Sequence, residues 1–406
     1  MKLDLEFTRA QFPAFAEPSL NGQAFFENAG GSYTCRHVYE RLTRFYRERK
    51  VQPYSAYPAS TLGGQEMDEA RAGLAAMMGV ETDELSFGPS TTQNTYVLSQ
   101  AFAQMMSPGD VVIVTNQDHE ANSGPWRRLA ERGMIVREWQ MNEVGHLDPA
   151  DLAELLDDKV KLVCFPHCSN VIGEVNDVAA ITQVVHDAGA VCCVDGVSYA
   201  PHGIANVSEL GADIYLFSAY KTYGPHQGIM AIRRDLGMQL PNQGHHFNAD
   251  SLYKRFTPAG PDHAQVAASA GMVDYANALY DHHFSEAADL PSRAAAVHNL
   301  MRGQETELMQ PLLDFLAAKN SVRLLGPTNA ASRAPTLALD LGRAAQPFEA
   351  KLAKHGIMSG GGDFYAGRAL MANGVDPELG ALRVSFVHYT SPAEIQQLID
   401  ALDQEL

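Results

Sequence analysis

Cysteine and tryptophan are scarce, at 5 and 2 residues in a chain of 406. The cysteines are odd in number, and two stand side by side as Cys192-Cys193, which on a strand point to opposite faces. That pattern offers no disulfide framework and fits reduced thiols in a cytoplasmic protein. Cys164 and Cys168 bracket Phe165-Pro166-His167, but no second cysteine pair completes a zinc site. The neighbours His245-His246 and His282-His283 lack a framing carboxylate cluster, so no metal site is expected. Long apolar runs are missing too: nothing approaches the roughly 18 residues of a membrane span. The first 25 residues mix Lys, Asp, Glu, Arg and Pro with single apolar residues, which excludes the continuous apolar core of a signal peptide. Basic residues are outnumbered, 30 against 48 acidic ones, and the net charge of -18 is spread along the chain. Such a surface repels phosphate backbones and anionic lipid, so neither nucleic acid nor membrane is an expected partner.

What is present is an alternation. Short apolar runs at 85–87, 111–114, 134–136, 162–165, 191–194, 214–217 and 229–232 are separated by helical patterns. Near-continuous apolar strands joined by helices predict an α/β domain whose seven-stranded, mostly parallel sheet is covered on both faces. A helix is expected over 95–106, and a long helical stretch over 286–319 interrupted at Pro311. Beyond Asn320 the pattern shifts to strands at 322–325, 336–339 and 382–386 and helices at 347–355 and 392–404, a small α+β unit. The last helix opens with the capping box Ser391-Pro-Ala-Glu394. At this length more than one core is expected. The boundaries are placed at 1–25 for an N-terminal segment, 26–290 for the large domain, and 291–406 for a linking helix and the small C-terminal domain.

Parallel sheets place their chemistry at the carboxyl ends of the strands, and four features fall there. Gly88-Pro-Ser-Thr-Thr-Gln-Asn94 follows a strand and opens a helix, so Ser90, Thr91 and Thr92 gather hydroxyls and free amides where a phosphate is favoured. His119 follows the strand at 111–114, and Asp195 ends the strand at 191–194, where an ionised carboxylate is costly unless a cation meets it. Lys221 lies in Ser218-Ala-Tyr-Lys-Thr-Tyr-Gly-Pro-His-Gln-Gly228, just past a buried strand, where desolvation lowers an amine's pKa and makes it a nucleophile for a carbonyl. One molecule needs all four. Pyridoxal 5'-phosphate (PLP) takes a lysine as a Schiff base, a carboxylate on its pyridinium nitrogen, a flat partner on its ring, and oriented donors on its phosphate.

At these residues the chain resembles the class V aminotransferase family of fold-type I PLP enzymes, the group that holds cysteine desulfurases, isopenicillin N epimerase-like proteins and kynureninase. The resemblance runs from Phe25-Phe-Glu-Asn-Ala-Gly-Gly31 to Leu382-Arg-Val-Ser-Phe-Val-His-Tyr-Thr390. Its most specific piece is Ser218-x-x-Lys221-x-x-Gly-Pro-x-x-Gly228 with Asp195 upstream. It implies that His119 stacks on the cofactor ring, Asp195 pairs with the ring nitrogen, and Ser218 with Thr92 binds phosphate. Ser198 stands where relatives often carry Gln near the phenolic oxygen, and Tyr220 replaces a frequent His before the lysine. It further implies Arg383 for the substrate carboxylate, a task suited to a planar fork, with Asn28 as another substrate contact. A homodimer with the site at its interface is implied as well, with Gly260, in Phe256-Thr-Pro-Ala-Gly-Pro-Asp-His263, offering a backbone contact to the neighbouring subunit's phosphate.

The reaction depends on the groups around the substrate carbon. A persulfide-forming desulfurase needs a thiolate on a mobile loop before the arginine strand, and Gly356-Ile-Met-Ser-Gly-Gly-Gly-Asp-Phe-Tyr-Ala-Gly-Arg368 holds no cysteine. Its glycine run predicts an adaptable loop, with Phe364 or Tyr365 as a lid over the substrate. Tyr57 and Arg368 are further candidates for substrate contact. The leading expectation is a PLP enzyme acting on a small amino acid through Lys221 by amino transfer. The alternatives are a β-eliminating lyase of cysteine desulfurase-like or selenocysteine lyase-like type, or an epimerase. A third is a catalytically inactive binding protein of this fold.

Overall fold

All seven apolar runs enter one sheet in the computed structural model, which describes residues 2–406. After a short N-terminal strand β1 (Ala24–Phe25) come β2 (Leu85–Gly88), β3 (Val111–Thr115), β4 (Ile135–Trp139), β5 (Val160–Pro166), β6 (Val191–Asp195), β7 (Ile214–Ser218) and β8 (Gly228–Ile232). Their order across the sheet is β2-β8-β7-β6-β5-β3-β4. Only β8 runs against the rest, because it pairs antiparallel with both β2 and β7 while the other pairs are parallel. Every residue of β2, β3, β7 and β8 is buried, as expected for a sheet with helices on both faces.

The helix after β2 spans Thr91–Met105, one turn earlier than its apolar periodicity indicates. Ser90 is its N-cap, with its hydroxyl accepting from the Gln93 amide at 3.2 Å. The polar first turn carries no periodic signal, yet it is the turn that faces the strand ends.

The long helix Leu290–Ala317 is continuous through Pro311, contrary to the expected interruption. An internal proline costs about 3 kcal/mol. Leu308, Met309, Leu312, Leu313 and Leu316 flank it and are buried in the second core, at roughly 1.5–3 kcal/mol for each such side chain. Packing therefore outweighs the break.

That second core surrounds a four-stranded antiparallel sheet in the order β12-β13-β10-β9, built from β9 (Arg323–Leu324), β10 (Thr336–Asp340), β12 (Gly360–Gly362) and β13 (Ala381–Ser385). Strand β11 (Ile357–Met358) pairs in parallel with β1. The Phe26 amide donates to the Met358 carbonyl, the Ser385 amide donates to the Phe26 carbonyl, both at 2.7 Å, and Ala24 and Phe26 are buried among Leu337, Leu339 and Leu382. The N-terminal segment is thus stitched between β11 and β13.

The glycine run is not a free loop. Gly360 and Gly361 pair with Arg383 and Leu382 of β13. A Cβ at Gly360 would lie 2.8 Å from Glu27 Oε2 and 2.9 Å from the Phe364 ring, and one at Gly361 would lie 3.0 Å from the Ala345 backbone. Close approach rather than mobility accounts for these two glycines.

Candidate functional site

At the carboxyl edge of the large sheet, the ends of β2, β3, β5, β6 and β7 converge on one cleft. Lys221 closes a single 3-10 turn after β7 and is only 8% exposed. Burial, with the nearby Arg383 charge, lowers its pKa to about 8, against the opposing pull of Asp195 and Glu27. Asp195, the last residue of β6, is also buried, and its Oδ1 accepts from the Val197 amide at 2.8 Å. Burial raises its pKa to about 6, and the Val197 amide and Lys221 hold it from rising further. Beneath it His167 hydrogen-bonds Tyr215 at 2.8 Å and stacks on Tyr199 at 3.6 Å, a rigid floor.

His119 caps the helix Glu120–Arg127, with Nδ1 accepting from the Ala121 amide at 3.0 Å, which places the ring proton on Nε2. Burial first, then Lys221 and Arg383, press its pKa down to about 3, so the ring is neutral at ordinary pH. Its turn is fixed by Asp118, which accepts from Thr115 at 2.5 Å and from Asn122 at 2.8 Å. Across the cleft the Thr91 and Ser218 hydroxyls lie 2.8 Å apart at the start of the helix Thr91–Met105. Thr92, Ser198 and Tyr220 line the same cleft. A neutral flat ring, a buried carboxylate, a desolvated amine and hydroxyls at a helix N-terminus form the donor set that PLP requires, so the residues present fit that group.

A second cluster stands near Lys221. Arg383 on β13 is buried, donates through Nη1 to the Asn170 carbonyl at 3.0 Å and through Nη2 to Glu27 Oε1 at 2.5 Å, and lies 3.9 Å from the centre of the Phe364 ring. Burial lowers its pKa, offset by Glu27. Among the described residues, Arg383 Nε, Glu27 Oε2 and Asn170 Oδ1 are buried without a hydrogen-bond partner. Phe364 and Tyr365 both adopt left-handed backbone, at φ 53° and 55°, an uncommon and strained state for aromatic residues. This turn sets Phe364 over Arg383 and brings the Tyr365 ring to 5.5 Å from His119. The Tyr365 side chain is 73% exposed, at the rim.

Other expected residues lie elsewhere. Asn28 is turned away from a substrate role: its amide donates to the Phe25 and Ser385 carbonyls at 3.2 Å and its oxygen accepts from Tyr389. With every polar atom engaged, it braces the segment that carries Glu27. Ser90 caps its helix and does not line the cleft, and Gly260 lines a separate surface pocket with Tyr54, Arg71 and Tyr253. Tyr57 heads the helix Pro58–Met77, and Arg368 pairs with Glu120. Glu27, Asn170 and Phe364 are additions. Glu27 lies within Phe25–Gly31 and Asn170 follows His167-Cys168-Ser169 just past β5, so their place at a strand end or in a quoted motif was the available signal.

All five cysteines are buried, and Cys168, the one that lines the cleft, has its thiol pushed up to about 12 by burial. A thiol in that state is a poor nucleophile.

Comparison with known proteins agrees with this geometry. A solved structure of the cysteine desulfurase CsdA from Escherichia coli superposes with a TM-score of 0.83 at 24% identity, covering 100% of this chain and 99% of that one, which shows a shared fold. An aminotransferase-like protein of Gibberella zeae is 34% identical over 414 residues, covering 99% of this chain and 98% of its own length. A cysteine desulfurase of Pectobacterium carotovorum is 29% identical over 426 residues, covering 100% and 98%. The model of the family described as aminotransferase class-V matches residues 24–398. With the strand-end lysine and carboxylate in one cleft and this match along nearly its whole length, the chain belongs to the aminotransferase class-V family of PLP-dependent enzymes.

Proposed function

We propose that this protein binds PLP at Lys221 and acts on a small amino acid by amino transfer. The observation that carries the reading is the shared burial of Lys221 and Asp195 at adjacent strand ends of one cleft. When bound, the cofactor supplies an aldehyde to join the amine and a ring that accepts electrons from the substrate carbon. Lys221 would hold that aldehyde, and its pKa of about 8 leaves a usable share of free amine near neutrality. Asp195 would face the ring nitrogen and keep it protonated, and neutral His119 would lie against the ring. Thr91, Thr92 and Ser218 would hold the phosphate with the first turn of the helix Thr91–Met105. Arg383 would take the substrate carboxylate, and Lys221, once released, would move the proton at the reacting carbon.

A β-eliminating lyase is the second reading, favoured by the full-length likeness to cysteine desulfurases. The raised thiol of Cys168 and the cysteine-free segment 356–368 speak against a persulfide route. The deciding experiment reconstitutes the protein with PLP and looks for a visible absorption band that Lys221→Ala lacks. Activity that requires a keto acid supports amino transfer, whereas pyruvate and ammonia released without one support the lyase. No band in the parent protein overturns the cofactor assignment. A homodimer with Gly260 reaching the partner's site, and a cytoplasmic location, belong to the same proposal, and a fully active monomer in sedimentation contradicts the dimer.

A further inference from the structure

The arginine assigned to the substrate carboxylate already holds a carboxylate. Glu27 Oε1 accepts from Arg383 Nη2 at 2.5 Å, the Asn170 carbonyl takes Nη1, and Phe364 covers the guanidinium face. Nε is buried without a partner among the described residues, and one further N–H on Nη2 is free on the same edge. A substrate carboxylate docking on the Nε–Nη2 edge then lies beside the Glu27 carboxylate on the same guanidinium. Two carboxylates then face one buried guanidinium and, with Lys221 acting as a neutral base on the proposed reading, one negative charge is left unbalanced. Glu27 Oε2 is itself buried and unpartnered, and a Cβ at Gly30 or Gly360 would crowd the Glu27 carboxylate, at 2.9 and 2.8 Å. Nor does the substrate's own α-amino group restore the balance, because on the proposed reading it would be joined to the cofactor.

We infer that Glu27 is a specificity-determining residue that selects amino acids bearing a second, cationic group on the side chain. Their α-carboxylate sits on Arg383 while the side-chain ammonium or guanidinium donates to Glu27 Oε2. The pair then becomes a four-charge array with no orphaned charge, and the unpartnered carboxylate oxygen gains its donor. An amino acid with a neutral side chain leaves Glu27 uncompensated and binds more weakly. This inference rests on the assignment of Arg383 and Lys221 to one substrate site.

The test is calorimetric titration of the cofactor-supplied protein with L-ornithine and with L-norleucine, which matches it in length but lacks the charge. The expected result is binding of L-ornithine tighter by about tenfold or more, in line with a desolvated charge pair. In Glu27→Gln, which keeps the acceptor for Arg383 but loses the charge, the preference should vanish and L-norleucine should bind more tightly than to the parent. Equal affinities in the parent protein, or a preference that survives in Glu27→Gln, overturn the inference. The parent's ratio stands without any variant. The visible band recorded on the same samples reports separately on Lys221: its absence sinks the cofactor reading and this inference with it, whereas equal affinities in a sample that shows the band overturn only the role of Glu27.

Discussion

The two walls of the site, the cleft around Lys221 and the Arg383 cluster beside it, are built on different principles. The wall of Lys221, Asp195 and His119 rises from the carboxyl ends of β7, β6 and β3 of a single sheet, each residue within a few positions of a buried strand. The wall of Glu27, Asn170, Phe364 and Arg383 is gathered from four distant stretches, brought together by the pairing of β1 with β11 and of β12 with β13. A rigid sheet edge suits chemistry that tolerates little displacement. A wall assembled from separate segments can change its contents without disturbing that edge, which fits a family holding more than one activity on one fold.

If the division holds, damage to the first wall strikes turnover and damage to the second strikes substrate affinity. Lys221→Ala should lower kcat by about four orders of magnitude or more, as for other covalent catalytic groups, with an unchanged thermal melt. Measurable turnover near that of the parent would end the assignment. Asp195→Ala should cost about 10²- to 10⁴-fold in kcat, the usual range for a group that tunes proton and electron movement, and a rise in KM alone would move Asp195 to the other wall. Arg383→Ala should raise KM with less effect on kcat, by on the order of 2 to 4 kcal/mol for loss of a charged hydrogen-bonding partner. Steady-state kinetics that show amines without a carboxylate as the better substrates would remove Arg383 from the second wall.

Acidity offers a test without mutation. The Lys221 amine, with its pKa of about 8, attacks only when unprotonated. The rate of cofactor loading, followed by absorbance, should climb about tenfold per pH unit below that value and level off above it. A profile flat from pH 6 to about 10 would mean that the amine is not the loading group. His119, at about 3, contributes no step in this range. The smallest effect belongs to Phe364→Ala: loss of the ring over the guanidinium should raise KM about thirtyfold, the worth of a desolvated cation–π contact of roughly 2 kcal/mol. A larger drop in kcat than rise in KM would place Phe364 on the catalytic side.

The first wall was largely legible in the sequence because its signals are local: an apolar run, then a small set of polar residues at its end. Lys221, Asp195, His119, Thr91 and Thr92 all reach the cleft on that logic, and Ser218, named through the resemblance, reaches it too. The second wall was not. Arg383 came from resemblance, and the neighbour expected to help it, Asn28, proved to brace the backbone while the adjacent Glu27 meets the guanidinium. Which of two adjacent residues faces the cavity is set by pairing between strands distant in sequence, and a one-residue change of register reverses it. The glycine strand Gly360–Gly362 escaped notice for a related reason, since residues without side chains leave no alternation to read. Pro311 misled in the opposite sense, because a local rule was outweighed by burial that only the tertiary structure supplies.

The stitching of Ala24 to Ile357 also sets a schedule for synthesis. The pairing partner of this early segment is made roughly 330 residues later, a delay of roughly 15 to 65 s at about 5–20 residues per second. During that interval the ribosome-bound chain can complete its large sheet and its lysine while the acid at position 27 has no guanidinium to meet.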